Sequence, residues 1–442
     1  MLDATNGTVA RGRMPTGLLL TALTLLVAWV PACRMEQPDA QPSATGETEK
    51  SSAAEQGAEG TAAADQDAAD EGAADRGDAD EAAADVASAP DDGEDPLVRQ
   101  QAVRRLEALR GRIRRDEQGR VIAVDLAVGR NAVDDEAIAL LAALPHLRAV
   151  KAAGAEITNE SAAVLARLET LEDLTLAGTQ IDGEGVRLLA ELPKLVALDL
   201  RQSAAVTDQT MAAVASLPHL QRLGLVGTGI TSEGVKQLAA LEQLRLVDLR
   251  DCLQVDDTAI VALADLPRLK VLRIGEYGIS DEGLKPLAEF PALRELAVEK
   301  AMISDEGLAH LADLPLTSLS LFRCLTVTDA GMPPLGKMEQ LVSLNLRDTS
   351  ITSEGLQHLT SLANLQTLDL RDTAVDDAGL EHLVGLEDLE RLLLRLTLVS
   401  DASVETLSRM KGLRLLDLSE TPISAQAVEQ LREALPNCEI QR

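Results

Sequence analysis

Aromatic residues are nearly absent from this 442-residue chain and make up 1% of it. The single Trp is Trp29, the single Tyr is Tyr277, and the two Phe are Phe290 and Phe322. Sites for glycans and for single-stranded nucleic acid rely on aromatic rings as stacking platforms. The scarcity of rings therefore argues against a dedicated binder of either ligand.

Positive charge is also scarce, because 41 Lys and Arg residues oppose 72 Asp and Glu residues and leave a formal net charge of −31. The excess is concentrated between Arg34 and Pro96, where 19 acidic residues face 3 basic ones. Acidic segments repel phosphate backbones. We therefore expect no nucleic-acid partner.

Motifs of catalysis and metal binding are missing as well. The sequence contains no phosphate loop, no HExxH, no nucleophile elbow and no Gly-rich dinucleotide turn. His358 and His382 occupy equivalent places in consecutive repeats and His310 lies two repeats earlier, but no acid or Cys at ligand spacing completes a metal site. We expect a protein that is not an enzyme, with no cofactor, no metal and no small-molecule substrate.

What the sequence does contain is a repeated leucine frame, L-x-x-L-x-L-x-x-[TC]-x-[IV]-[TSD]-x-E-G-[LV], at intervals of 23–25 residues. Self-similarity at this period indicates a solenoid, in which each unit buries its apolar side against its neighbours. The frames begin at Leu147, Leu171, Leu195, Leu220, Leu244, Leu269, Leu293, Leu316, Leu341, Leu365, Leu389 and Leu413.

Each frame predicts one strand and one helix. The alternation of Leu174 and Leu176 is typical of a short strand with one buried face. The ninth position, as in Thr228 or Cys252, predicts an internal group that bonds the backbone of the turn. Thr231 and Ser280 are predicted helix N-caps. We expect an α/β horseshoe of about 12–13 repeats of 24–25 residues, with a parallel concave sheet and convex helices.

The segments LVDLRDCLQVDDTAIVAL and LSLFRCLTVTDAGMPPL resemble the leucine-rich repeat superfamily, and are most similar to its cysteine-containing and ribonuclease-inhibitor-like types. The resemblance implies a general protein-binding scaffold. Cys252 and Cys324 lie three repeats apart, or about 14 Å at the usual strand spacing. This exceeds the ~7 Å limit for a disulfide, so we expect both to be buried and unpaired.

The N-terminal region predicts where in the cell the protein is located. Residues 1–32 combine Arg11 and Arg13 with a short apolar stretch, as in a secretory signal peptide. Val-Pro-Ala-Cys33 resembles the bacterial lipobox, which implies lipidation of Cys33; an ordinary secretory signal or a single membrane anchor is the alternative. Residues 33–96 lack the apolar residues needed for a core, and we expect an acidic, disordered tether there.

Both ends of the repeat array are predicted to be capped. Residues 97–146 would hold a capping helix from Leu97 to Arg115 and a degenerate first repeat, and residues 147–442 the repeats with a C-terminal cap. The helix would be basic, and its arginines would pair with the acidic tether, face solvent or contact anionic lipid headgroups.

A candidate partner-binding patch lies on the concave face of the later repeats. Arginine and aromatic side chains are enriched in binding hot spots, and we expect this patch to dock an acidic protein or peptide segment. The alternative is a self-satisfied ladder of Asp and Arg with no partner. The patch comprises Phe322, Arg323, Arg347, Asp348, Arg371, Asp372, Leu393, Arg395 and Leu396.

Together these features predict a monomeric, non-enzymatic binding module at the bacterial cell envelope, anchored to the membrane by a lipid. The first alternative is an F-box-like substrate-recognition adaptor of a ubiquitin-ligase type complex. The second alternative is a purely structural envelope spacer.

Overall fold

The computed structural model of the chain describes residues 95–128 and 133–442. The predicted signal peptide, Cys33 and all but the last two residues of the predicted tether lie outside the described residues. In the described part, 15 strands form a single open sheet whose spatial order follows the sequence. The first two strands pair antiparallel and all later neighbours pair in parallel, as expected for a solenoid that adds one strand per coil.

The strands are short, and most cover only the third to fifth positions of the frame. They are β1 Arg112–Arg115, β2 Val121–Asp125, β3 Ala149–Ala153, β4 Asp173–Ala177, β5 Ala197–Asp199, β6 Arg222–Gly224, β7 Leu246–Asp248, β8 Val271–Gly275, β9 Glu295–Glu299, β10 Ser318–Ser320, β11 Ser343–Asn345, β12 Thr367–Asp369, β13 Arg391–Leu393, β14 Leu415–Asp417 and β15 Glu439–Gln441.

The opposite side of each coil carries a short helix, and in several coils 3-10 turns extend or replace it. The α-helices are α1 Pro96–Ala108, α2 Asp135–Ala139, α3 Asn159–Leu165, α4 Gly183–Leu189, α5 Asp208–Val214, α6 Ser232–Lys236, α7 Asp257–Leu263, α8 Asp281–Leu284, α9 Asp305–Leu308, α10 Met332–Leu335, α11 Asp377–Leu380, α12 Val404–Arg409 and α13 Ala425–Ala434. The 3-10 turns span Leu140–Ala143, Gln237–Ala240, Lys285–Glu289, Ala309–Leu311, Asp329–Gly331, Gly355–Leu359, Glu381–Leu383 and Asp401–Ser403.

The core is a continuous leucine stack between the sheet and the helices. Leu344, Leu368, Leu392 and Leu416 are paired in register along β11–β14 and are fully buried. Alternation of side chains along a strand places the residues on either side of each buried leucine on the solvent-facing side of the sheet, called the strand face below. This alternation determines which side chains a partner can reach.

The ninth frame position works inside the turn, as predicted. Thr228 Oγ1 donates to the carbonyl of Leu225 at 2.8 Å, and Thr349 Oγ1 donates to Leu346 at 2.6 Å. Where the residue is Cys, the thiol instead reaches the preceding coil: Cys252 Sγ lies 3.0 Å from the carbonyl oxygen of Leu225. Cys252 and Cys324 are buried and unpaired, and burial raises the pKa of the Cys324 thiol to about 12.

A left-handed turn follows each strand from β4 to β14, and it was not predicted from the sequence pattern. The eighth frame position has positive φ in successive coils, although its side chain varies from Asp to Lys and Leu. Non-glycine residues reach this region at a cost, so the packed coil must impose it. The residues are Gly178, Gln202, Gly227, Asp251, Glu276, Lys300, Arg323, Asp348, Asp372, Leu396 and Glu420.

Helix N-termini are joined from coil to coil by a ladder of side-chain hydrogen bonds. In one form, the first helical residue is Asp, and its carboxylate accepts from the N–H and hydroxyl of the N-cap in the next coil. Asp257 accepts from Ser280 in this way at 2.8 and 2.6 Å. The same form joins Asp135 to Thr158, Asp208 to Thr231, Asp281 to Ser304, Asp305 to Thr328 and Asp377 to Ser400. Asp329 binds Thr352 through the same two bonds, although Thr352 lies three residues before the 3-10 turn Gly355–Leu359.

In the other form the roles are exchanged, and the N-cap is the carboxylate. Ser232 donates to Asp256 at 2.7 Å, and Asn159 donates to Asp182 at 2.8 Å. The Thr258 hydroxyl and then Ser232 donate to Asp256, and these bonds lower the pKa of its carboxyl group. The predicted N-caps Thr231 and Ser280 are confirmed, and their hydroxyls also bind the adjoining coil.

The N-terminal cap differs from the prediction. The expected helix from Leu97 to Arg115 is wrong in its second half, because α1 ends at Ala108 and Arg112–Arg115 form β1. Arg110 has positive φ (62°), which ends the helix, and β1 then pairs antiparallel with β2. At the other end, β15 adds a final parallel strand beside β14. Within residues 95–128 and 133–442, no helix combines the length and apolarity needed to span a membrane.

Candidate partner-binding surface

The structure places the predicted patch along the carboxyl ends of β10–β13. Leu393 ends β13, and the other members follow their strands by two or three residues. All are half-buried or exposed, so none is part of the leucine core. The patch is therefore a row across adjacent coils at one border of the strand face.

Each arginine of this row has an acidic partner. Arg347 Nε lies 3.1 Å from Asp372 Oδ2 in the next coil, and Arg323 Nε lies 3.0 Å from Asp348 Oδ2. Arg395 Nε lies 3.0 Å from Glu420 Oε1. These acidic partners therefore offset the repulsion that a row of arginines alone would produce.

Arg371 is paired within its own coil. Its Nη2 lies 2.6 Å from Asp369 Oδ2, and its Nε lies 2.9 Å from Asp369 Oδ1. This two-pronged hydrogen bond raises the pKa of Arg371 against the opposing effect of burial. Asp369 is 5% exposed, so Arg371 neutralises a largely buried carboxylate and has a structural role in addition to any contact with a partner.

Apolar groups accompany the charges. The guanidinium carbon of Arg347 lies 5.2 Å from the centroid of the Phe322 ring, within the range of a cation–π interaction. Leu396 is 43% exposed and has positive φ (59°). An arginine stacked on an aromatic ring, with an exposed leucine two coils further along the same row, has the composition of a protein-binding hot spot.

Sequence reasoning missed a recess in the middle of the strand face. It is a shallow cavity of about 280 Å³ across β8–β11, adjacent to the predicted patch. Its floor is formed by small side chains, and its rim by charged ones. The floor comprises Ala297, Ser318, Ser320 and Ser343, and the rim Arg250, Arg273, Glu295 and Glu299.

A polar network joins the recess to the patch. Arg250 is held by Asp248 at 2.8 Å and approaches Glu299 at 3.6 Å. Ser320 Oγ donates to Glu299 at 3.2 Å and accepts from Asn345 Nδ2 at 3.1 Å. The hydrogen bonds that Arg250 donates to Asp248 are the main reason that the pKa of Arg250 is raised. Because Asn345 also accepts from the N–H of Arg347 at 3.0 Å, the two regions form one surface.

Two charged side chains at the rim form weaker ion pairs than the others, or none. Arg273 approaches Asp248 only at 3.6 Å, and Glu295 makes no ion pair with any residue in the described part of the chain. The recess therefore presents one guanidinium, one carboxylate and several hydroxyls, which suit a polar segment of either charge. Small residues at the fifth frame position of consecutive repeats, such as Ala297 and Ser320, were the sequence signal for this recess.

Within residues 95–128 and 133–442, no group of three or more His, Cys, Asp and Glu side chains could hold a metal ion. His310 and His382 are exposed on the helix side, and His358 is half-buried there.

Comparison with known proteins agrees with this fold. Two segments, 216–239 and 361–384, match the family model described as Leucine Rich repeat. The crystal structure of an internalin (inlF) from Listeria monocytogenes is 19% identical, with a TM-score of 0.50, and the match covers 78% of this chain and 94% of that one. The chain therefore has the fold of a leucine-rich-repeat solenoid.

Two further solved structures are similar at lower scores. A leucine-rich-repeat protein of Leptospira interrogans is 17% identical (TM-score 0.34), covering 69% of this chain and 92% of that one. The yeast Rad7 and Elc1 complex matches at 20% identity (TM-score 0.49), covering 70% of this chain and 77% of that one. Comparison with curated protein sequences gives no significant match.

Proposed function

We propose that this protein is a non-enzymatic, monomeric protein-binding scaffold of the bacterial cell envelope, carried on a lipid anchor at Cys33 and an acidic tether. The observation that carries the proposal is the continuous surface of recess and patch, from Arg250 to Arg395. It combines an arginine–aromatic stack, exposed leucine and a polar network, which are features of protein interfaces. The partner would be a protein or peptide segment. The carboxylates of an acidic partner would compete with the chain's own Asp and Glu side chains for the arginines.

The repeats themselves support the same proposal. Cys252 and Cys324 fill the turn position that the cysteine-containing type of repeat is named for, and this assignment of type is part of the proposal. The leucine frame accounts for the buried positions of each coil, so the exposed positions of the strand face are free to vary with the partner.

Binding by the patch is tested with arginine variants of the full chain. Cross-linking in the native cell and mass spectrometry would first identify the captured protein. The purified partner is then titrated against wild type and against Arg347→Gln/Arg395→Gln, and we expect the double variant to bind at least about tenfold more weakly. Arg187→Gln, which removes an exposed helix-side ion pair with Glu184, is the matched control. Equal affinity of wild type and the double variant would exclude the patch.

Charge reversal of Arg347, Arg371 and Arg395 together gives the stronger form of this test. Arg371→Glu would place a second negative charge beside the largely buried Asp369, so folding of the triple variant is checked by its thermal transition. Glutamine at Arg347 and Arg395 avoids that repulsion, which is why the double variant is the primary test.

The envelope anchor is tested separately. Cells are labelled with a palmitate analogue, and wild type is compared with Cys33→Ser. We expect label on the wild type alone. Label that persists in Cys33→Ser would refute acylation at this residue and would leave the alternatives of ordinary secretion and an intracellular adaptor.

A further inference from the structure

A row of large apolar side chains is exposed on the loops that lead from the strands to the helices. In four consecutive coils these side chains are Leu253 (75% exposed), Tyr277 (76%), Met302 (55%) and Leu325 (59%). We call these four residues the loop row. Isolated exposed leucines are ordinary on a protein surface, whereas a contiguous series marks an interaction site.

Three of the four residues of the loop row share a backbone position. In three of the coils a buried residue accepts, through its carbonyl, the N–H of an apolar residue three positions later, as Cys252 does from Val255 at 3.1 Å. The first residue inside this turn points outward, and it is Leu253, Tyr277 and Leu325 in the three coils. The coil between Tyr277 and Leu325 is shorter, and Met302 is its single loop residue.

Other coils place small or polar residues at the corresponding positions. These residues are Gln180, Ala204, Gly229, Ser350 and Ala374. Leu398 is the exception, with 57% exposure, but its neighbours in the adjoining coils are Ala374 and Pro422. The fold therefore does not require an apolar residue here, and the four coils of the loop row differ from the rest.

The charges on the two sides of the loop row are unequal. Towards the strands, Lys300 binds both Asp251 and Glu276, and Arg323 pairs with Asp348, so that border mixes basic with acidic side chains. Towards the helices, the acids of the N-caps and first turns outnumber the basic residues, and Lys285 forms an ion pair with one of them, Glu282. This acidic border comprises Asp256, Asp257, Asp281, Glu282, Asp305, Glu306 and Asp329.

The spacing of the loop row discriminates between partner shapes. Met302 N donates to the carbonyl of Ile279 in the preceding coil at 2.9 Å, so the coils remain close at the loops. At about 4.8 Å per coil, four coils span about 14 Å. Side chains one turn apart on an α-helix repeat every 5.4 Å and would span about 16 Å. Four alternate residues of an extended strand would span about 20 Å, so their side chains would not stay aligned with the four residues of the loop row.

We propose that the loop row binds an amphipathic helix of a partner protein that lies along the solenoid axis, with its apolar stripe on the row and its Lys or Arg residues on the acidic border. This inference rests on the proposed protein-binding role, but it uses a surface separate from the patch. A second copy of the chain is a poorer occupant. Four side chains supply on the order of a few hundred Å², whereas a stable dimer buries about 800 Å² on each partner.

The test uses a defined probe and the full chain. The probe is a fluorescent synthetic peptide of roughly 18 residues, or five helical turns, with leucine on one stripe and lysine along its borders. A scrambled peptide of the same composition keeps the charge but has no stripe. We expect saturable binding of the helical peptide by fluorescence anisotropy and at least about tenfold weaker binding of the scrambled one. Absence of binding, or equal binding of both peptides, would overturn the proposal.

Two variants locate the binding. Tyr277→Ser/Met302→Ser truncates two exposed side chains without entering the core, and we expect at least a tenfold loss of affinity. Leu398→Ser is the matched control, since it removes an equally exposed loop leucine outside the row, and it should change affinity less than about twofold. Thermal melts establish that both variants fold. Equal affinities for wild type and the double variant would contradict the assignment.

A third variant tests the orientation of the helix. Glu282→Gln/Glu306→Gln weakens the acidic border and should lower affinity and flatten its dependence on salt. Unchanged salt dependence would place the lysines elsewhere and refute the stated orientation. Because the peptide assay uses no envelope partner, a negative result here leaves capture by the patch unaffected.

Discussion

Arg347 contacts Phe322 of the preceding coil and Asp372 of the following one, so a single side chain ties three coils together at the border of the strand face. Its guanidinium group lies over the ring of Phe322 and donates from Nε to the carboxylate of Asp372. The planar, permanently charged group of arginine allows both interactions at once.

We expect a measurable energetic coupling between Phe322 and Arg347. In a double-mutant cycle of Phe322→Leu and Arg347→Ala, the interaction energy from denaturant unfolding should be about 0.5–1 kcal/mol, as for a partly exposed cation–π pair. The same cycle with Arg395→Ala, three coils from Phe322, should show no coupling. Equal coupling in both cycles would mean that the stacking contributes nothing specific.

The glycine of the E-G pair in the frame is required by the N-cap ladder. A Cβ at Gly283 would overlap the carboxylate of Asp257, which is bound to Ser280. Gly283→Ala should therefore lower the free energy of unfolding by about 1–3 kcal/mol, because the cap hydrogen bonds or the local packing must give way. Gly385→Ala is the control, since a Cβ there meets no atom within 4 Å. Equal stability of the two variants in urea unfolding would contradict this role.

The buried hydroxyl of Thr349 should contribute through its hydrogen bond. Thr349→Val keeps the shape but leaves the carbonyl of Leu346 without its 2.6 Å donor, and we expect a loss of about 1 kcal/mol or somewhat more. Thr349→Ser restores the donor and should recover part of this loss. If valine and serine are equivalent in thermal unfolding, the hydrogen bond is not the source of the effect.

Stability should fall in acid because two N-cap carboxylates of the ladder, Asp376 and Asp182, have lowered pKa values in the folded chain. Hydrogen bonds from Ser353 lower the pKa of Asp376, and those from Asn159 lower the pKa of Asp182. An unfolded Asp titrates near pH 4, so the unfolded chain binds protons first. The stabilisation is thus present above about pH 4 and is lost as pH falls through the lowered folded pKa values.

Melting temperatures between about pH 5 and pH 3 measure this loss. Asp376→Asn removes one of the titrating groups and should make the pH dependence shallower than in the wild type. Glu405→Gln, which removes an exposed carboxylate outside the ladder, is the comparison. A slope unchanged by Asp376→Asn would show that acid acts elsewhere.

Much of the fold could be predicted because the sequence pattern that specifies a strand and a helix lies within a single coil. Leucine spacing identified the strands, and Thr231 and Ser280 identified helix starts. The N-terminal cap was less predictable: Ile113 continues the apolar stripe of a helix but also suits a strand, and the positive φ of Arg110, which separates the two, has no clear signal in the sequence.

The surface was harder to predict than the fold. The depth of the recess depends on the contrast between Ala297 or Ser320 and the arginines of neighbouring coils, which no single repeat contains. Arg347 pairs with Asp372 of the next coil rather than with Asp348 beside it in the sequence, a choice that the order of charges along the chain does not specify. Contacts between coils join residues about one repeat apart in the sequence. Which residues pair therefore depends on how neighbouring coils align in three dimensions.

The exchange of donor and acceptor roles along the N-cap ladder restricts how such an array can be rearranged. A coil whose helix begins with Asp257 must be followed by one that starts with a hydroxyl, whereas a coil that begins with Ser232 must be followed by one that starts with a carboxylate. Wherever the ladder bond is present, the coils are therefore directional building blocks with two kinds of junction. Duplication or deletion of a coil preserves the hydrogen bond between N-caps only where the newly adjoining coils supply a donor and an acceptor. The order of the coils is therefore constrained by the ladder.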